Sequence, residues 1–406
     1  MPLPAATTLR VDDAGRIAYL DILRGFALLG MIVVHFHDHS TEPGGIDDSI
    51  RTFIWRFVES KAHGTFALLF GAGFAIQLRR AEARGAPFAS VYLRRLAALA
   101  AFGFAAHAFF GFNVLLGYAV WGVPLLLIRR WSTRTLLIVA VLSAMSVSLF
   151  HLSYQRYLTS TGGPDAVATV YGARQAEAVS VNDGLEAAEA QESYGVLFAA
   201  RLRHMAWFHA QPFFFMPGGT LALFIAGLLL IRHRVFEDPA AHRRLLYGFA
   251  AFGLVSWAVD IWLLDLIGVQ TTLGLLRDQW LTFTYVSVAL LIMALRPAVV
   301  PHLRVFANAG RMALTNYLIQ IAAVDLLFSG YAVGLGKIRP LYGIVVAVPL
   351  FALEAAFSTL WLQRFRFGPA EWLWRSLTYG ERQPMRRTPT AVPPATISTS
   401  SPDRSA

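Results

Sequence analysis

The feature that most constrains this chain is the segment Tyr19–His35, an apolar stretch that carries three ionisable residues. Asp21, Arg24 and His35 are spaced by 3 and 11 residues. An α-helix would place all three near one face, with Arg24 and His35 ~16 Å apart along the axis. An ionisable side chain at the centre of a bilayer costs roughly 2.5–3.5 kcal/mol on insertion scales, and such groups usually face protein or a wet cavity. These residues are therefore the first candidates for chemistry.

The composition indicates a membrane protein. Of the 406 residues, 56% are hydrophobic, whereas soluble domains contain ~45–50% apolar residues even with glycine included. The chain has no cysteine, which excludes disulfides, thiolate nucleophiles and cysteine-ligated metals. Its formal net charge is +10, but the arginines form short clusters between apolar runs, as membrane topology produces. We therefore expect the lipid bilayer as a partner, no nucleic-acid partner and no metal.

Ten apolar runs are long enough to cross ~30 Å of hydrocarbon. They lie at residues 19–37, 62–78, 94–111, 113–129, 135–152, 213–231, 246–267, 280–296, 312–328 and 341–361. Every second connection is rich in arginine, and the alternate ones are acidic or sparse. By the positive-inside rule, both termini are then cytoplasmic. The sequence predicts an all-α, polytopic membrane helix bundle with about ten transmembrane helices.

This pattern divides the chain into four parts. Residues 1–152 form an N-terminal five-helix membrane half, and residues 206–380 form a C-terminal five-helix half. Between them, residues 153–205 read as an extracytoplasmic loop whose Ala/Glu-rich part, about 171–192, suits a short surface helix. The segment 381–406 is rich in Pro, Thr, Ser and Arg, which is typical of a disordered tail, here a cytoplasmic one.

Two interpretations of the first helix remain open. In one, His35 is a general base at the outer end, because imidazole titrates near neutrality, and Arg24 binds an anion or braces the helix. In the other, Asp21 and Arg24 pair with each other, and His35 sits in headgroup water beside His37 and His39.

The second run has Lys61 and His63 at its start and contains the sequence Phe70-Gly-Ala-Gly-Phe74. Its glycines favour close helix packing, because small residues let backbones approach. Lys61 and His63 lie on the same outer side as His35, where they line one cavity with it or act as interfacial anchors. His107, Asn113 and Tyr118 are further candidates for a cavity lining. Interhelical hydrogen bonding explains these polar residues equally well.

The start of the ninth run lies in the segment Gly310-Arg-Met-Ala-Leu-Thr-Asn-Tyr-Leu-Ile-Gln320. Arg311 and Thr315, like Asn316 and Gln320, are four residues apart, so two polar rows lie side by side. A helix this polar does not face lipid cheaply, and the rows therefore serve packing or line a site. The acids that lie within or near spans, and that suit a proton relay, are Asp260, Asp265, Asp325 and Glu354.

Several catalytic motifs are missing from the sequence. It contains no Walker-type phosphate loop, no His-Glu-x-x-His and no Gly-x-Ser-x-Gly. ATP-driven transport and zinc-dependent hydrolysis are therefore unsupported.

Four segments resemble the YeiB-like membrane proteins, the family called domain of unknown function 418. They are Leu20-Asp-Ile-Leu-Arg-Gly-Phe-Ala-Leu-Leu-Gly30, Leu69-Phe-Gly-Ala-Gly-Phe74, the ninth-run segment Gly310–Gln320, and Phe367-Gly-Pro-Ala-Glu-Trp-Leu-Trp-Arg-Ser-Leu-Thr-Tyr379. The family is grouped with membrane acyltransferases that modify carbohydrates, including the acyltransferase-3 and heparan-glucosaminide acetyltransferase types.

The first helix is also similar to the opening of acyltransferase-3 proteins, which is Leu-Asp-x-Leu-Arg with a histidine eleven residues after the arginine. Arg24 and His35 keep that spacing. The chain departs from the YeiB-like pattern at His35, where the family commonly has asparagine. It also departs at Asn113, where the family usually has aspartate.

The resemblance implies a multi-pass acyltransferase of the bacterial inner membrane. Its donor would be cytoplasmic acyl-CoA, and its acceptor a small-molecule, glycan or lipid substrate with a hydroxyl outside. His35 would take the acceptor proton or transiently carry the acyl group. Arg24, with Asp21 beside it, would stabilise anionic donor groups or an oxyanion. The alternatives are a proton-coupled transporter or permease and a non-catalytic envelope protein.

Overall fold

The computed structural model describes residues 18–41, 44–111, 113–216, 218–259 and 272–387. Throughout these ranges the regular secondary structure is helical, with two isolated β-bridges and no strand. The first part contains α1 (Ala18–His37), α2 (Ile46–Ile54), a π-helical turn (Trp55–Glu59), α3 (Ser60–Ala83), α4 (Phe88–Phe110), α5 (Leu115–Ile128) and α6 (Thr133–Gly162).

The second part continues with two helices outside the predicted spans, followed by the remaining apolar helices. It contains α7 (Pro164–Glu189), α8 (Tyr194–Ala210), a 3₁₀ turn (Pro212–Phe215), α9 (Gly218–Arg232), α10 (Arg243–Val259), α11 (Thr272–Leu295), a 3₁₀ segment (Pro297–Leu303), α12 (Arg304–Arg311), α13 (Ala313–Phe328), α14 (Pro340–Arg364) and α15 (Pro369–Tyr379).

Four of these helices, α1, α4, α6 and α14, are long and apolar enough to cross a membrane. Three shorter apolar helices are α5, α9 and α13, and the end of α11 meets the segment Pro297–Arg311 at a bend of 113°. Each of the ten apolar runs overlaps a helix, so the prediction of an all-helical membrane protein is confirmed. The number of crossings and the side of the termini stay predictions.

Helix α1 crosses α12 at a pair of glycines. A Cβ added to Gly25 would overlap the backbone of Phe306, and one added to Gly310 would overlap the carbonyl of Asp21. The two backbones are therefore in direct contact, which small residues alone permit. This contact places Arg311 at the end of α12 beside the Asp21–Arg24 turn of α1.

Helix α3 crosses α9 in the same way. A Cβ on Gly71 would overlap the backbone of Phe224, and one on Gly227 would overlap that of Leu68. Gly71 therefore serves close packing, as its position in the Phe70–Phe74 sequence predicts. Gly73, in contrast, has open space, and a Cβ there would meet only the Arg24 guanidinium at 3.8 Å.

The segment between the predicted membrane halves is largely helical. Helix α6 continues to Gly162 and ends at Gly163, whose φ is 74°. Helix α7 then runs from Pro164 to Glu189, so it begins before the 171–192 stretch for which a short helix was expected and ends just inside it. The physical reason is the density of Ala, Glu and Gln, which are strong helix formers. Because α1 packs against α12 and α14, helices of the two predicted halves interleave, and the division into halves stays a prediction.

The first residues of the predicted tail pack onto the structure. The indole of Trp372 donates to the carbonyl of Gln383 at 2.7 Å, and the Arg366 amide donates to that of Met385 at 2.9 Å. The part of the tail up to residue 387 is thus held against the start of α15. The expectation of disorder for residues 388–406 falls outside the described residues.

Candidate active site

A cavity of about 570 Å³ lies among α1, α3, α4, α5, α12, α13 and α15. Its volume falls within the ~300–1,000 Å³ typical of small-molecule sites. We call it the arginine cavity, because one end carries six arginines against two carboxylates. Those residues are Arg24, Arg80, Arg84, Arg95, Arg311 and Arg375, with Asp21 and Glu371. The other end is apolar and aromatic, and its lining includes Met31, Phe66, Phe70, Leu99, Tyr118 and Tyr317.

Asp21 and Arg24 pair with each other, as one interpretation of the sequence predicts. Nη1 of Arg24 donates to Oδ1 of Asp21 at 2.9 Å. The Asp21 side chain is 4% exposed and that of Arg24 is 26% exposed. Both residues nevertheless line the cavity, so the pair holds the guanidinium at the cavity wall and does not remove it from contact with a ligand.

The cations of the cavity repel one another. Arg95 is repelled electrostatically by Arg375 and Arg24, and its guanidinium carbon lies 3.5 Å from the ring centroid of Trp374. A concave surface lined with charge of one sign concentrates ligands of the opposite sign. The arginine end therefore favours a ligand with several negative charges.

Glu371 links α15 to the start of α13. Its carboxylate accepts hydrogen bonds from the amides of Leu314 (2.6 Å) and Thr315 (3.1 Å) and from the hydroxyl of Thr315 (2.6 Å). These amides belong to the first turn of α13, where backbone donors lack helical partners and negative charge is favoured. Burial raises the pKa of Glu371, and the hydrogen bonds from Thr315 and Leu314 act in the opposite direction. Thr315 thus positions a wall of the cavity.

His35 lies just beyond the aromatic end of the cavity. On α1, Arg24, Met31 and His35 are spaced by 7 and 4 residues, which places them on one face. The His35 and Tyr317 ring centroids are 5.8 Å apart, so this imidazole neighbours a residue of the cavity lining. The hydroxyl of Tyr118 donates to the backbone carbonyl of His63 at 2.9 Å.

Lys61 is buried inside the bundle, with 1% of its surface exposed, and so it is not an exposed interfacial anchor. Its carbonyl accepts a hydrogen bond from the Thr65 hydroxyl at 2.8 Å. Neither Lys61 nor His63 is part of the cavity lining described by the structure.

Asn316 and Gln320 join helices inside the bundle. The amide of Asn316 donates to the Ser358 hydroxyl at 2.9 Å. The amide of Gln320 donates to Glu354 at 2.8 Å and to the Leu28 carbonyl at 3.3 Å. Both residues are fully buried, and in this structure they act as packing contacts. In the other polar row, Arg311 lines the cavity, whereas Thr315 contacts the lining residue Glu371.

Asn113 holds the turn between α4 and α5. Its amide nitrogen donates to the carbonyl of Gly103 at 3.0 Å, and its oxygen accepts from the amide of Leu115 at 3.1 Å. An aspartate could accept the second bond but could not donate the first. Asparagine therefore suits this backbone geometry, and Asn113 is not itself a lining residue, although its neighbours Val114 and Leu115 line the cavity.

His107 belongs to a separate cluster. Its ring lies 5.8 Å from that of His204 and 5.6 Å from that of His209, centroid to centroid. Among the residues that the structure describes, no group of three or more histidine or acidic side chains is arranged to hold a metal ion. His107 does not line the arginine cavity.

Two of the four acids that suit a proton relay, Asp325 and Glu354, make other contacts in the part of the chain that the structure describes. Asp325 forms an ion pair with Arg201 and accepts from the hydroxyls of Ser329 and Tyr331, each at 2.7 Å. Glu354 accepts from Gln320. The remaining two acids, Asp260 and Asp265, lie outside the described residues.

Sequence reasoning missed most of the cavity wall. It attributed the arginine clusters that include Arg80, Arg84, Arg95 and Arg375 to membrane topology, an explanation that requires no ligand. The available signal was the position of Glu371 and Arg375 in a segment shared with the YeiB-like proteins.

Two protein-family profiles match different parts of the chain. A family profile described as "Heparan-alpha-glucosaminide N-acetyltransferase, catalytic" matches residues 16–162. A second, described as "Protein of unknown function (DUF418)", matches residues 230–381. The first match contains His35 and four of the cavity arginines, and the second contains Tyr317 and α15.

The uncharacterized protein YxaH of Bacillus subtilis (strain 168) is 31% identical over 396 residues, which cover 92% of this chain and 96% of that protein. An uncharacterized 39.9 kDa protein of Bacillus acidopullulyticus, from the amylase 3' region, is 28% identical over 91% of this chain and 96% of its own. The uncharacterized protein YeiB of Escherichia coli (strain K12) is 45% identical over 73 residues, 18% of each chain. No solved structure matches. The chain belongs to the YeiB-like family, DUF418, and carries an acyltransferase-like domain.

Proposed function

We propose that this protein is an acyltransferase of the bacterial inner membrane. It moves an acyl group from cytoplasmic acyl-CoA to a carbohydrate or lipid-linked hydroxyl on the opposite side. The observation that carries this proposal is the course of the arginine cavity, which runs from six guanidinium groups to Tyr118 and Tyr317, with the His35 ring centroid 5.8 Å from that of Tyr317.

The chemistry of the donor matches the two ends of the cavity. Coenzyme A carries a diphosphate and a 3'-phosphate, and guanidinium groups bind phosphate oxygens in pairs of charge-assisted hydrogen bonds. The pantetheine arm and the acyl chain are thinner and less charged, and they suit the aromatic end. In this orientation the thioester faces Tyr317 and His35.

A ten-crossing topology with cytoplasmic termini agrees with this orientation. It places the arginine end inside the cell, where positively charged residues accumulate and where acyl-CoA is made. The outer end of α1, with His35, then faces the acceptor. The chain accordingly connects a donor on one side of the membrane with an acceptor on the other.

His35 is the residue at which the two substrates meet. It receives either the acyl group or the proton of the acceptor hydroxyl. Arg24, held by Asp21, lies ~16 Å away at the donor end, and so it binds the anionic part of the donor. The match to the catalytic domain of an N-acetyltransferase, which includes both residues, supports acyl transfer as the reaction class.

The test measures both binding and transfer with purified protein. Wild type should bind acetyl-CoA and release free coenzyme A thiol in the presence of an alcohol acceptor. The His35→Ala variant should keep its membrane abundance and its coenzyme A affinity but lose transfer. His302→Ala, which changes an exposed histidine remote from the cavity, is the matched control.

Two results would contradict the proposal. One is full transfer activity in His35→Ala. The other is a wild-type protein that neither binds acetyl-CoA nor cleaves its thioester, in which case substrate flux driven by a pH gradient in proteoliposomes would support a permease instead.

A further inference from the structure

His63 lies on the face of α3 that lines the arginine cavity. The lining residues Phe66, Phe70, Phe74 and Gln77 follow it at steps of 3, 7, 11 and 14. These steps return to nearly the same side of an α-helix. His63 therefore extends the cavity-lining stripe of α3 beyond the aromatic end, as His35 extends that of α1.

The hydrogen bonds of His63 determine which ring nitrogen is basic. Its Nδ1 lies 3.0 Å from the carbonyl oxygen of Glu59, and a carbonyl only accepts. Nδ1 therefore carries the hydrogen, and the lone pair is on Nε2. A backbone carbonyl that orients an imidazole in this way leaves the other nitrogen ready to take a proton.

The local backbone supports this orientation. Glu59 is the last residue of the π-helical turn Trp55–Glu59, and single π-helical turns inside α-helices are frequent at functional sites. On its other side, the backbone carbonyl of His63 accepts from Tyr118, a residue of the cavity wall. His63 is thus fixed both at its ring and at its main chain.

His35 has a different environment. Its Nε2 is buried and makes no hydrogen bond within the described part of the chain. His63 and His39 are the titratable groups that interact with it electrostatically. His39 stacks on Phe328, with 4.5 Å between ring centroids, whereas His63 is tied to the cavity wall through Tyr118.

We propose that His63 is the general base that removes the proton of the acceptor hydroxyl, an inference that rests on the acyl transfer proposed above. Because His63 supplies the base, the unbonded Nε2 of His35 is left to carry the acyl group. The two histidines then divide between them the roles that the sequence assigned to His35 alone.

The proposed steps balance. Nε2 of His35 attacks the thioester carbonyl, the C–S bond breaks, and the proton of His35 Nδ1 passes to the leaving thiolate. Nε2 of His63 then takes the proton of the acceptor hydroxyl, while the oxygen of that hydroxyl bonds to the acyl carbon. The C–N bond to His35 breaks, and the proton held by His63 returns to His35. The products are an ester and free coenzyme A.

The experiment separates the two half-reactions with acetyl-CoA as donor. Release of coenzyme A thiol reports acylation of His35, and acetylation of decyl β-glucoside reports transfer to an alcohol. Hydroxylamine, a strong nucleophile that needs no base, reports the acyl group independently as acetohydroxamate. The variants are His63→Gln, His35→Ala and, as a matched control on the exposed surface of α6, His151→Ala.

In His63→Gln we expect the thiol burst and acetohydroxamate formation to stay within about threefold of wild type. Glucoside acetylation should fall by ~10²–10⁴-fold, the usual contribution of a positioned base. His35→Ala should lose all three signals, and His151→Ala should keep them.

Two outcomes would overturn the inference. Wild-type rates of glucoside acetylation in His63→Gln would show that another group takes the proton, and loss of the thiol burst in that variant would show that His63 is not specific to the acceptor step. If wild type itself released no thiol, the proposed acyl transfer would fail instead, which is a distinct result.

Discussion

The indole of Trp374 lies over the guanidinium of Arg95, with 3.5 Å between the guanidinium carbon and the ring centroid, and its N–H donates to the carbonyl of the same arginine at 2.9 Å. One side chain of α15 thus holds both the charged group and the backbone of a residue on α4. The C-terminal helix thereby sets the position of a cation in the arginine cavity.

Replacement of Trp374 should weaken donor binding. A cation–π contact contributes ~0.5–1 kcal/mol at exposed sites and ~2 kcal/mol or more when desolvated. Trp374→Ala should therefore raise the Kd of coenzyme A by about 3- to 30-fold, and Trp374→Phe, which keeps a ring, by less. Isothermal titration of purified protein measures this effect. Trp131→Ala, at an exposed turn, is the control, and an equal effect of that change would refute the assignment.

Two neighbouring glycines of α3 should respond differently to enlargement. Gly73→Leu places a side chain in the cavity beside Arg24 and should reduce coenzyme A affinity by at least tenfold in a folded protein. Gly71→Leu forces a Cβ into the backbone of Phe224 and should prevent stable assembly. Size-exclusion profiles and ligand titration distinguish the two. Normal donor affinity in Gly73→Leu would place the donor elsewhere.

Loss of the Glu371 carboxylate should destabilise the start of α13. Removal of a side-chain cap costs ~0.5–2 kcal/mol, and Glu371 accepts two amide bonds and one hydroxyl bond there. Glu371→Ala should lower the apparent Tm in detergent, and Glu371→Gln, which keeps one acceptor oxygen, should lower it less. Identical melting of the alanine variant and wild type would show that the contact does not stabilise the fold.

Removal of Asp325 should destabilise the fold strongly. Both partners of the Arg201–Asp325 ion pair have side chains at most 2% exposed, and breaking a buried pair by removing one partner costs ~3–5 kcal/mol. Asp325→Ala should therefore reduce the yield of folded protein, and the double variant Arg201→Met/Asp325→Ala should recover part of it. A well-folded Asp325→Ala protein defective only in proton-dependent flux would support a transporter.

The helices of this protein could be predicted from the sequence, because apolar runs long enough to cross a membrane are compatible with few structures other than helices. The Asp21–Arg24 pair and the packing role of Gly71 follow from helical spacing and residue size, which are local properties. The arginine cavity did not follow, because its wall comes from seven helices distant in the chain. Its arginines also fit the positive-inside rule, so no charge needed another explanation. The roles of Thr315 and Asn113 depend on the partners Glu371 and Gly103, which spacing does not reveal.

The π-helical turn at Trp55–Glu59 lies within a continuous helix that runs from Ile46 to Ala83. It sets how the side chains after the turn are rotated about the helix axis relative to those before it. At its start, Asp47 is bonded to Arg339 at 2.7 Å, which anchors that end to the entrance of α14. Each residue of an α-helix advances the chain by ~100° about the axis. Deletion of one residue in this turn would therefore rotate either His63 or the Asp47 anchor by about a quarter of a revolution. The π-helical turn thus lets one continuous helix make both the Asp47 contact and the His63 contacts. A regular α-helix would point one of these side chains in a different direction.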